Sequence, residues 1–144
     1  PPPRVDRLVD ELARWCDTLS HQDLPRPWLG GKSMGGRVAS LLAARDGAVG
    51  LVLCGYPFHP PRRPEALRLS HWPLIDCPTL VVQGDRDPFG SRDELAGYDL
   101  GGARVHLLEE GDHDWQPRRA SGLTQGELIE EAAEVIASFM ASRG

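Results

Sequence analysis

A serine flanked by glycines is the strongest chemical feature of this sequence. Residues 30–37 read Gly-Gly-Lys-Ser-Met-Gly-Gly-Arg, which places Ser33 at the centre of a G-x-S-x-G pattern. Apolar residues precede the pattern and a helix-like stretch follows it, so a sharp strand-to-helix turn with an exposed hydroxyl is expected. Glycines two positions before and after the serine relieve crowding in such a turn. The free N–H groups at the start of the helix would favour a developing oxyanion.

A serine hydroxyl is a weak nucleophile at neutral pH, so it needs a base and the base needs an orienting acid. The chain contains five histidines: His21, His59, His71, His106 and His113. His113 follows the last predicted strand, whereas His106 lies inside that strand and the others lie in connections. His59, in a proline-rich loop, is expected to line a pocket rim or to be solvated.

Two aspartates compete for the role of the acid. Asp85 and Asp87 both follow the third predicted strand, in the segment Gly-Asp-Arg-Asp-Pro. Asp87 is favoured because it lies further from the strand end and precedes a proline that stiffens its backbone; Asp85 would instead cap the turn. The resulting chain order is Ser33, Asp87, His113, which is the nucleophile–acid–base order of the α/β-hydrolases.

The elements that would position these residues alternate between helix and strand. Apolar spacing predicts helices over 4–19, 35–45 and 91–96, and a last helix opened by a capping box from Thr124 to Glu127. Continuous apolar runs predict strands over 28–31, 49–54, 79–83 and 103–108, with a helical turn over 65–69. This alternation predicts one doubly wound α/β domain over residues 1–144, with a mostly parallel sheet and helices on both faces. Functional residues then gather where strands end.

Composition narrows the classes of partner. The net charge of −5 and the lack of a basic face argue against nucleic acid and anionic membranes. No apolar run is long enough to span a membrane. The three scattered cysteines, Cys16, Cys54 and Cys77, are typical of a reducing, cytoplasmic compartment. Lys32 is the only lysine, which hints at a specific task beside the serine.

Four segments together resemble a small, cap-less serine hydrolase of the α/β-hydrolase superfamily, close to its dienelactone-hydrolase-like branch. They are residues 30–37, 55–61, 83–90 and 111–114. The resemblance implies Ser33 as nucleophile, Asp87 as acid, His113 as base and the Met34 N–H as one oxyanion donor. It also implies ester or related acyl hydrolysis through an acyl-enzyme, on a small-molecule acyl substrate. No metal or organic cofactor is required.

The sequence departs from that family before Ser33. Only one predicted helix precedes Trp28, whereas the family has several earlier strands, one of which is followed by the loop that supplies a second oxyanion donor. The resemblance thus covers the C-terminal part of the usual domain, and we expect the chain to belong to a longer protein. If it is complete, low activity and homo-oligomerisation through an exposed sheet edge are expected.

Two other functions are compatible with some of the same residues. A catalytically weak or inactive interaction domain on a hydrolase fold is the alternative, favoured by the incomplete oxyanion hole and opposed by the candidate triad. A phosphate-binding P-loop also ends in Gly-Lys-Ser. Its first glycine would fall at position 26, which is Arg26, so nucleotide hydrolysis is disfavoured.

Overall fold

The computed structural model describes residues 4–143. The four strands are β1 (Leu29–Lys32), β2 (Leu51–Cys54), β3 (Thr79–Gly84) and β4 (Arg104–Leu108). The four α-helices are α1 (Val5–His21), α2 (Met34–Asp46), α3 (Arg92–Ala96) and α4 (Gln125–Arg143). Two short 3₁₀ helices cover Trp72–Leu74 and Arg119–Ser121. The four predicted strands are therefore present, as are the helices predicted over 4–19, 35–45, 91–96 and after Thr124, with ends shifted by a few residues.

The four strands form one parallel sheet in the order β1-β2-β3-β4. Strands β2 and β3 are central and consist almost entirely of buried residues, as continuous apolar runs predict for strands covered on both faces. Because all strands run the same way, their C-terminal ends lie along one edge of the sheet. The loops that carry Ser33, Asp87 and His113 leave from that edge.

Helices cover both faces of the sheet, as predicted. Helices α1, α2 and α3 contribute to an apolar cluster on one face, which includes Leu51, Leu53 and Val81. Helix α4 packs on the other face, where Phe139 and Leu128 contact the cluster of Leu80 and Val82. Because successive side chains of a strand point to opposite faces, β3 supplies both clusters, with Val81 in the first and Leu80 and Val82 in the second. The fold prediction of a parallel α/β sheet with two helical layers is confirmed.

The capping box that opens α4 is also present. The Thr124 hydroxyl oxygen accepts the Glu127 N–H at 3.1 Å, and the Glu127 carboxylate accepts the Thr124 N–H at 3.1 Å. This reciprocal arrangement satisfies donors that have no partner inside the first turn of a helix. It fixes where α4 begins after the loop that carries His113.

The connection between β2 and β3 contains turns and one 3₁₀ helix, without the helical turn predicted over 65–69. Buried aromatic rings hold this irregular segment. The Tyr56 and Phe58 rings lie 4.8 Å apart in an edge-on arrangement, and the Trp72 Nε1–H donates to the Tyr56 hydroxyl at 3.3 Å. The Arg68 N–H donates to the Phe58 carbonyl at 2.8 Å, and the Tyr56 hydroxyl donates to the Arg68 carbonyl at 2.7 Å, so tertiary contacts replace the helical hydrogen bonds of this segment. No lid of helices lies within this connection.

Candidate active site

Ser33 occupies a strained turn between β1 and α2. Its backbone has φ 53° and ψ −120°, a conformation that residues other than glycine rarely adopt. Such a residue costs on the order of 1–3 kcal/mol and persists only when its surroundings enforce it. Here the Ser33 N–H donates to the Cys54 carbonyl at 2.8 Å, and the Ser33 carbonyl accepts the Arg37 N–H at 3.1 Å. The turn presents the partly exposed side chain at the N-terminus of α2.

Only one of the two glycines of the pattern is required by close packing. A Cβ added to Gly31 would lie 2.5 Å from the Gly35 carbonyl carbon, so no side chain fits there. A Cβ added to Gly35 would meet nothing within 4 Å outside its own helix. The expectation of crowding on both sides is therefore right for Gly31 and wrong for Gly35. The reason is directional: the Gly31 Cβ would point into the first turn of α2, whereas the Gly35 Cβ would point to open space.

The structure brings the three predicted side chains together. The Ser33 Oγ lies 2.9 Å from the His113 Nε2, although 80 residues separate them in sequence. The His113 Nδ1 lies 2.9 Å from the Asp87 Oδ2. Because a carboxylate only accepts hydrogen bonds, Nδ1 carries the proton and Nε2 is free to accept the serine proton. The arrangement can deprotonate the hydroxyl as it attacks.

Asp87 is completely buried, and both of its carboxylate oxygens accept hydrogen bonds. Its Oδ1 accepts the Phe89 N–H at 2.8 Å. Its Oδ2 accepts from His113 and also from the Nε2 of Gln83, at 3.2 Å. Sequence reasoning missed Gln83; the available signal was a single long polar side chain at the end of an otherwise apolar strand. Phe89 also packs against the imidazole, with ring centroids 4.3 Å apart.

Asp85 has a different task. Its Oδ1 accepts the Glu110 N–H at 2.9 Å, which ties the end of β3 to the loop that follows β4. Its Oδ2 lies 3.5 Å from the Arg92 guanidinium. Asp85 therefore anchors the histidine loop, and only Asp87 reaches the imidazole.

Comparison with known proteins identifies the family. Residues 1–141 match the family described as "Alpha/beta hydrolase domain". The chain belongs to this alpha/beta hydrolase family. A segment of 62 residues is 43% identical to serine hydrolase BPHL of Mus musculus, covering 41% of this chain and 20% of that protein.

Solved structures show the same hydrolase fold at low sequence identity. An alpha-beta serine hydrolase homologue from Coxiella burnetii is 18% identical, with a TM-score of 0.63, over 90% of this chain and 56% of that one. The serine hydrolase XC6422 from Xanthomonas campestris, which has no lid, is 18% identical, with a TM-score of 0.65, over 93% of this chain and 59% of that one. Among the residues that the structure describes, the connection between β2 and β3 contains no α-helical lid. The chain spans little more than half the length of these two structures.

An ion pair joins the two loops that meet at the hydrolase site. The Lys32 Nζ lies 2.6 Å from the Asp114 Oδ1, so the residue before Ser33 contacts the residue after His113. The hydrogen bond to Lys32 and its positive charge lower the pKa of Asp114 below its usual range. Within the histidine loop, the Asp112 Oδ1 accepts the N–H groups of Asp114 and Gln116, both at 2.9 Å. The single lysine thus joins the segment that carries Ser33 to the loop that carries His113.

A second serine–histidine contact in this hydrolase domain has the wrong surroundings for catalysis. Ser40 is fully buried in α2 and donates to the Arg37 carbonyl at 2.7 Å. Its oxygen must then accept from the His71 Nε2, 2.8 Å away, which leaves no free base. Burial and the nearby Arg37 charge lower the pKa of His71 to about 4. The pair is structural.

The other histidines also lie away from Ser33. The expectation that His59 is solvated or at a rim is wrong: its side chain is 2% exposed. Its Nδ1 donates to the Pro60 carbonyl at 2.7 Å, and its Nε2 lies 2.8 Å from Glu94. His106 contacts Glu131 and His21 contacts the Asp17 carbonyl.

Within residues 4–143, no cluster of metal-binding side chains and no helix able to cross a membrane is found.

Proposed function

We propose that this domain hydrolyses an ester or related acyl bond through an acyl-enzyme intermediate. The observation that carries the proposal is the continuous hydrogen-bonded path from the Ser33 hydroxyl through His113 to Asp87, with both heavy-atom distances at 2.9 Å. Side chains of these three types in this order can activate a hydroxyl at neutral pH. Membership of a hydrolase family supports the same reaction class.

In the first half-reaction the Ser33 Oγ attacks the substrate carbonyl carbon. The His113 Nε2 takes the hydroxyl proton, and the buried Asp87 carboxylate stabilises the resulting imidazolium through Nδ1–H. The carbonyl π electrons move to oxygen, forming a tetrahedral oxyanion. When the carbonyl re-forms, the bond to the leaving group breaks and Nε2 returns the proton to that group. The products are an acyl-serine and a free alcohol or related leaving group.

In the second half-reaction water replaces serine as the nucleophile. His113 removes a proton from water as it attacks the acyl carbon, and the second tetrahedral intermediate collapses with release of the carboxylic acid. The proton on Nε2 returns to the Ser33 oxygen, which restores the starting state. Asp87 stays ionised throughout, so its contribution is orientation and charge stabilisation.

The oxyanion is stabilised from the start of α2. Met34 is the first residue of α2, where N–H groups have no partner within the helix and the helix dipole is positive. The family resemblance predicts a second donor on a loop that this sequence does not contain. Since one donor contributes roughly a hundred- to thousandfold in rate, we expect slow turnover from the 144-residue chain by itself.

The substrate class follows from access to the serine. The segment between β2 and β3 contains no lid, and Ser33 is partly exposed. A groove of about 770 Å³ borders Lys32 and is lined in part by Cys54, Trp115 and Ile129. The open approach to Ser33 favours small or sterically accessible acyl groups. The three free cysteines favour a reducing, cytoplasmic setting.

Ester hydrolysis tests the proposal directly. We expect the wild-type chain to hydrolyse short p-nitrophenyl esters above the background rate and Ser33→Ala to lose this activity. Ser40→Ala is the matched control, because Ser40 also contacts a histidine but lacks a free base. Quenched reactions should show an acylated mass for wild type. A folded wild-type chain without Ser33-dependent turnover would favour a non-catalytic interaction domain.

A further inference from the structure

Gln83 is a fully buried polar side chain at the end of β3, beside the proposed site. Its Nε2 faces three oxygens: the Tyr56 carbonyl at 3.2 Å, the Asp87 Oδ2 at 3.2 Å and the Gly90 carbonyl at 3.0 Å. Tyr56 lies in the loop after β2, Asp87 is the candidate acid, and Gly90 lies in the turn that follows Asp87. One amide group therefore joins three segments that meet under the histidine.

The orientation of this amide is fixed by its surroundings. Rotating the group by half a turn would place the Oε1 against the same three oxygens, which all repel it. In the observed orientation the buried Oε1 has no hydrogen-bond partner among the described residues. A buried acceptor without a partner costs about 1–3 kcal/mol, and an apolar residue of similar size would avoid that cost. The remainder of β3 consists of such residues apart from Thr79 at its start and Gly84 at its end.

The amide also limits how the acid can move. The Asp87 Oδ1 is held by the Phe89 N–H, and the Gln83 Nε2 donates to Oδ2, the same oxygen that meets the imidazole. Rotation of the carboxylate about its Cβ–Cγ bond would break both contacts together. The oxygen that meets the His113 Nδ1 is therefore set in place by neighbours that do not themselves react.

From this geometry we propose that Gln83 is a positioning residue for catalysis: it holds Asp87 Oδ2 in line with His113 Nδ1. This inference rests on the proposed function, because it assigns Gln83 a role through the same three side chains. Gln83 touches neither substrate nor the reacting atoms. Its contribution appears in the orientation and charge stabilisation of the imidazole.

The test replaces the amide while keeping its volume. In Gln83→Met we expect kcat to fall about tenfold with KM changed less than twofold, because substrate binding does not use the amide. The acid limb of the pH profile of kcat/KM should move to lower pH, because the imidazolium loses part of its carboxylate support. Ser40→Ala is the control for a lost buried hydrogen bond elsewhere, and its kcat and pH profile should match wild type.

A second variant separates positioning from folding. Gln83→Asn keeps an amide donor on a shorter side chain, so its kcat should lie between those of wild type and Gln83→Met. If Gln83→Met does not fold, Gln83→Asn carries the test alone, with a smaller fall in kcat and the same direction of pH shift. A folded Gln83→Met with the wild-type kcat and pH profile would overturn the inference, and so would such a Gln83→Asn where Gln83→Met does not fold.

A measurement without substrate distinguishes this inference from the proposed function. The Nδ1–H of a histidine bonded to a carboxylate gives a far-downfield proton resonance, which we expect in wild type and in Ser40→Ala. It should be lost or moved upfield in Gln83→Met. An unchanged resonance in Gln83→Met would overturn the inference even if wild type hydrolyses esters. A shifted resonance in a chain without esterase activity would support positioning while the proposed function fails.

Discussion

Asp87 and His113 are in contact at 2.9 Å yet differ in their access to solvent: the Asp87 side chain is 0% exposed and that of His113 is 18% exposed. The acid therefore lies behind the base, on the side away from any substrate. Water cannot compete for the carboxylate, while the imidazole keeps one edge towards Ser33. This difference in solvent exposure suits an acid that orients the imidazole and a base that transfers protons.

Replacing the acid should remove most of the activity. In Asp87→Asn the amide can donate to Nδ1, which favours the tautomer that cannot accept the serine proton. We expect kcat for ester hydrolysis to fall on the order of 10³–10⁴-fold. Steady-state kinetics at pH 8 measure the loss, with circular dichroism to verify folding.

Asp85→Asn is the matched control for that substitution. Its Oδ1 only anchors the Glu110 N–H, and an amide oxygen can accept the same hydrogen bond. We expect kcat within a fewfold of wild type. Equal losses in the two variants would contradict the assignment of Asp87 as the acid.

The two glycines of the G-x-S-x-G pattern should respond differently to alanine. Gly31→Ala forces a Cβ against the Gly35 backbone, so the turn must open and Ser33 must move. We expect loss of esterase activity and a lower melting temperature. Gly35→Ala places its Cβ in open space and should stabilise α2 or leave it unchanged, because alanine is the better helix former. Thermal melts and ester assays of both variants make the comparison; equal damage at both positions would contradict the packing described.

His71 should make the domain less stable in mild acid. Its pKa is about 4 in the folded chain, below the ordinary value of 6.5, because burial and Arg37 disfavour the charged form. The unfolded chain therefore binds this proton more readily, and the free energy of unfolding falls as pH drops from 6.5 towards 4. After allowance for partial solvent screening, the loss is roughly 1–2 kcal/mol. The free energy of unfolding, measured in urea, should therefore fall less between pH 7 and pH 4.5 in His71→Gln than in wild type.

Glu94 should contribute stability that disappears in acid. Partial burial acts to raise its pKa, but the Ser91 N–H and His59 outweigh that effect, so the pKa is lowered from the usual 4.5. A lowered pKa stabilises the fold above pH 4.5, and the contribution is lost as pH falls through the folded value. Glu94→Gln should unfold at lower urea than wild type at pH 7. The difference between the two should shrink at pH 3, and a difference that is the same at both pH values would contradict the ionised Glu94 carboxylate as its source.

Much of the site could be predicted because it depends on local patterns and on where strands end. The glycines around Ser33 specify the turn, and apolar runs specify parallel strands whose C-terminal ends share an edge. His113 and Asp87 follow two of those ends, so their proximity to Ser33 is a consequence of topology. No knowledge of individual side-chain contacts is needed for that step.

The supporting contacts could not be predicted because they depend on three-dimensional packing. Gln83 follows an apolar run and could equally have been a solvated strand end. His59 lies among prolines typical of a surface loop, yet it is buried and its ring contacts Glu94 and the Pro60 carbonyl. The absence of crowding at Gly35 depends on the direction of one Cβ, which the pattern does not specify.

Covalent labelling tests the central claim most directly. A fluorophosphonate reacts with a serine only when a neighbouring base activates it, and trypsin cleavage after Lys32 and Arg37 releases residues 33–37 as one peptide. We predict that the phosphonate adduct in wild type lies on that peptide, that Ser33→Ala is unlabelled and that Ser40→Ala labels like wild type. An unlabelled wild-type chain, or an adduct that persists in Ser33→Ala, would contradict the account.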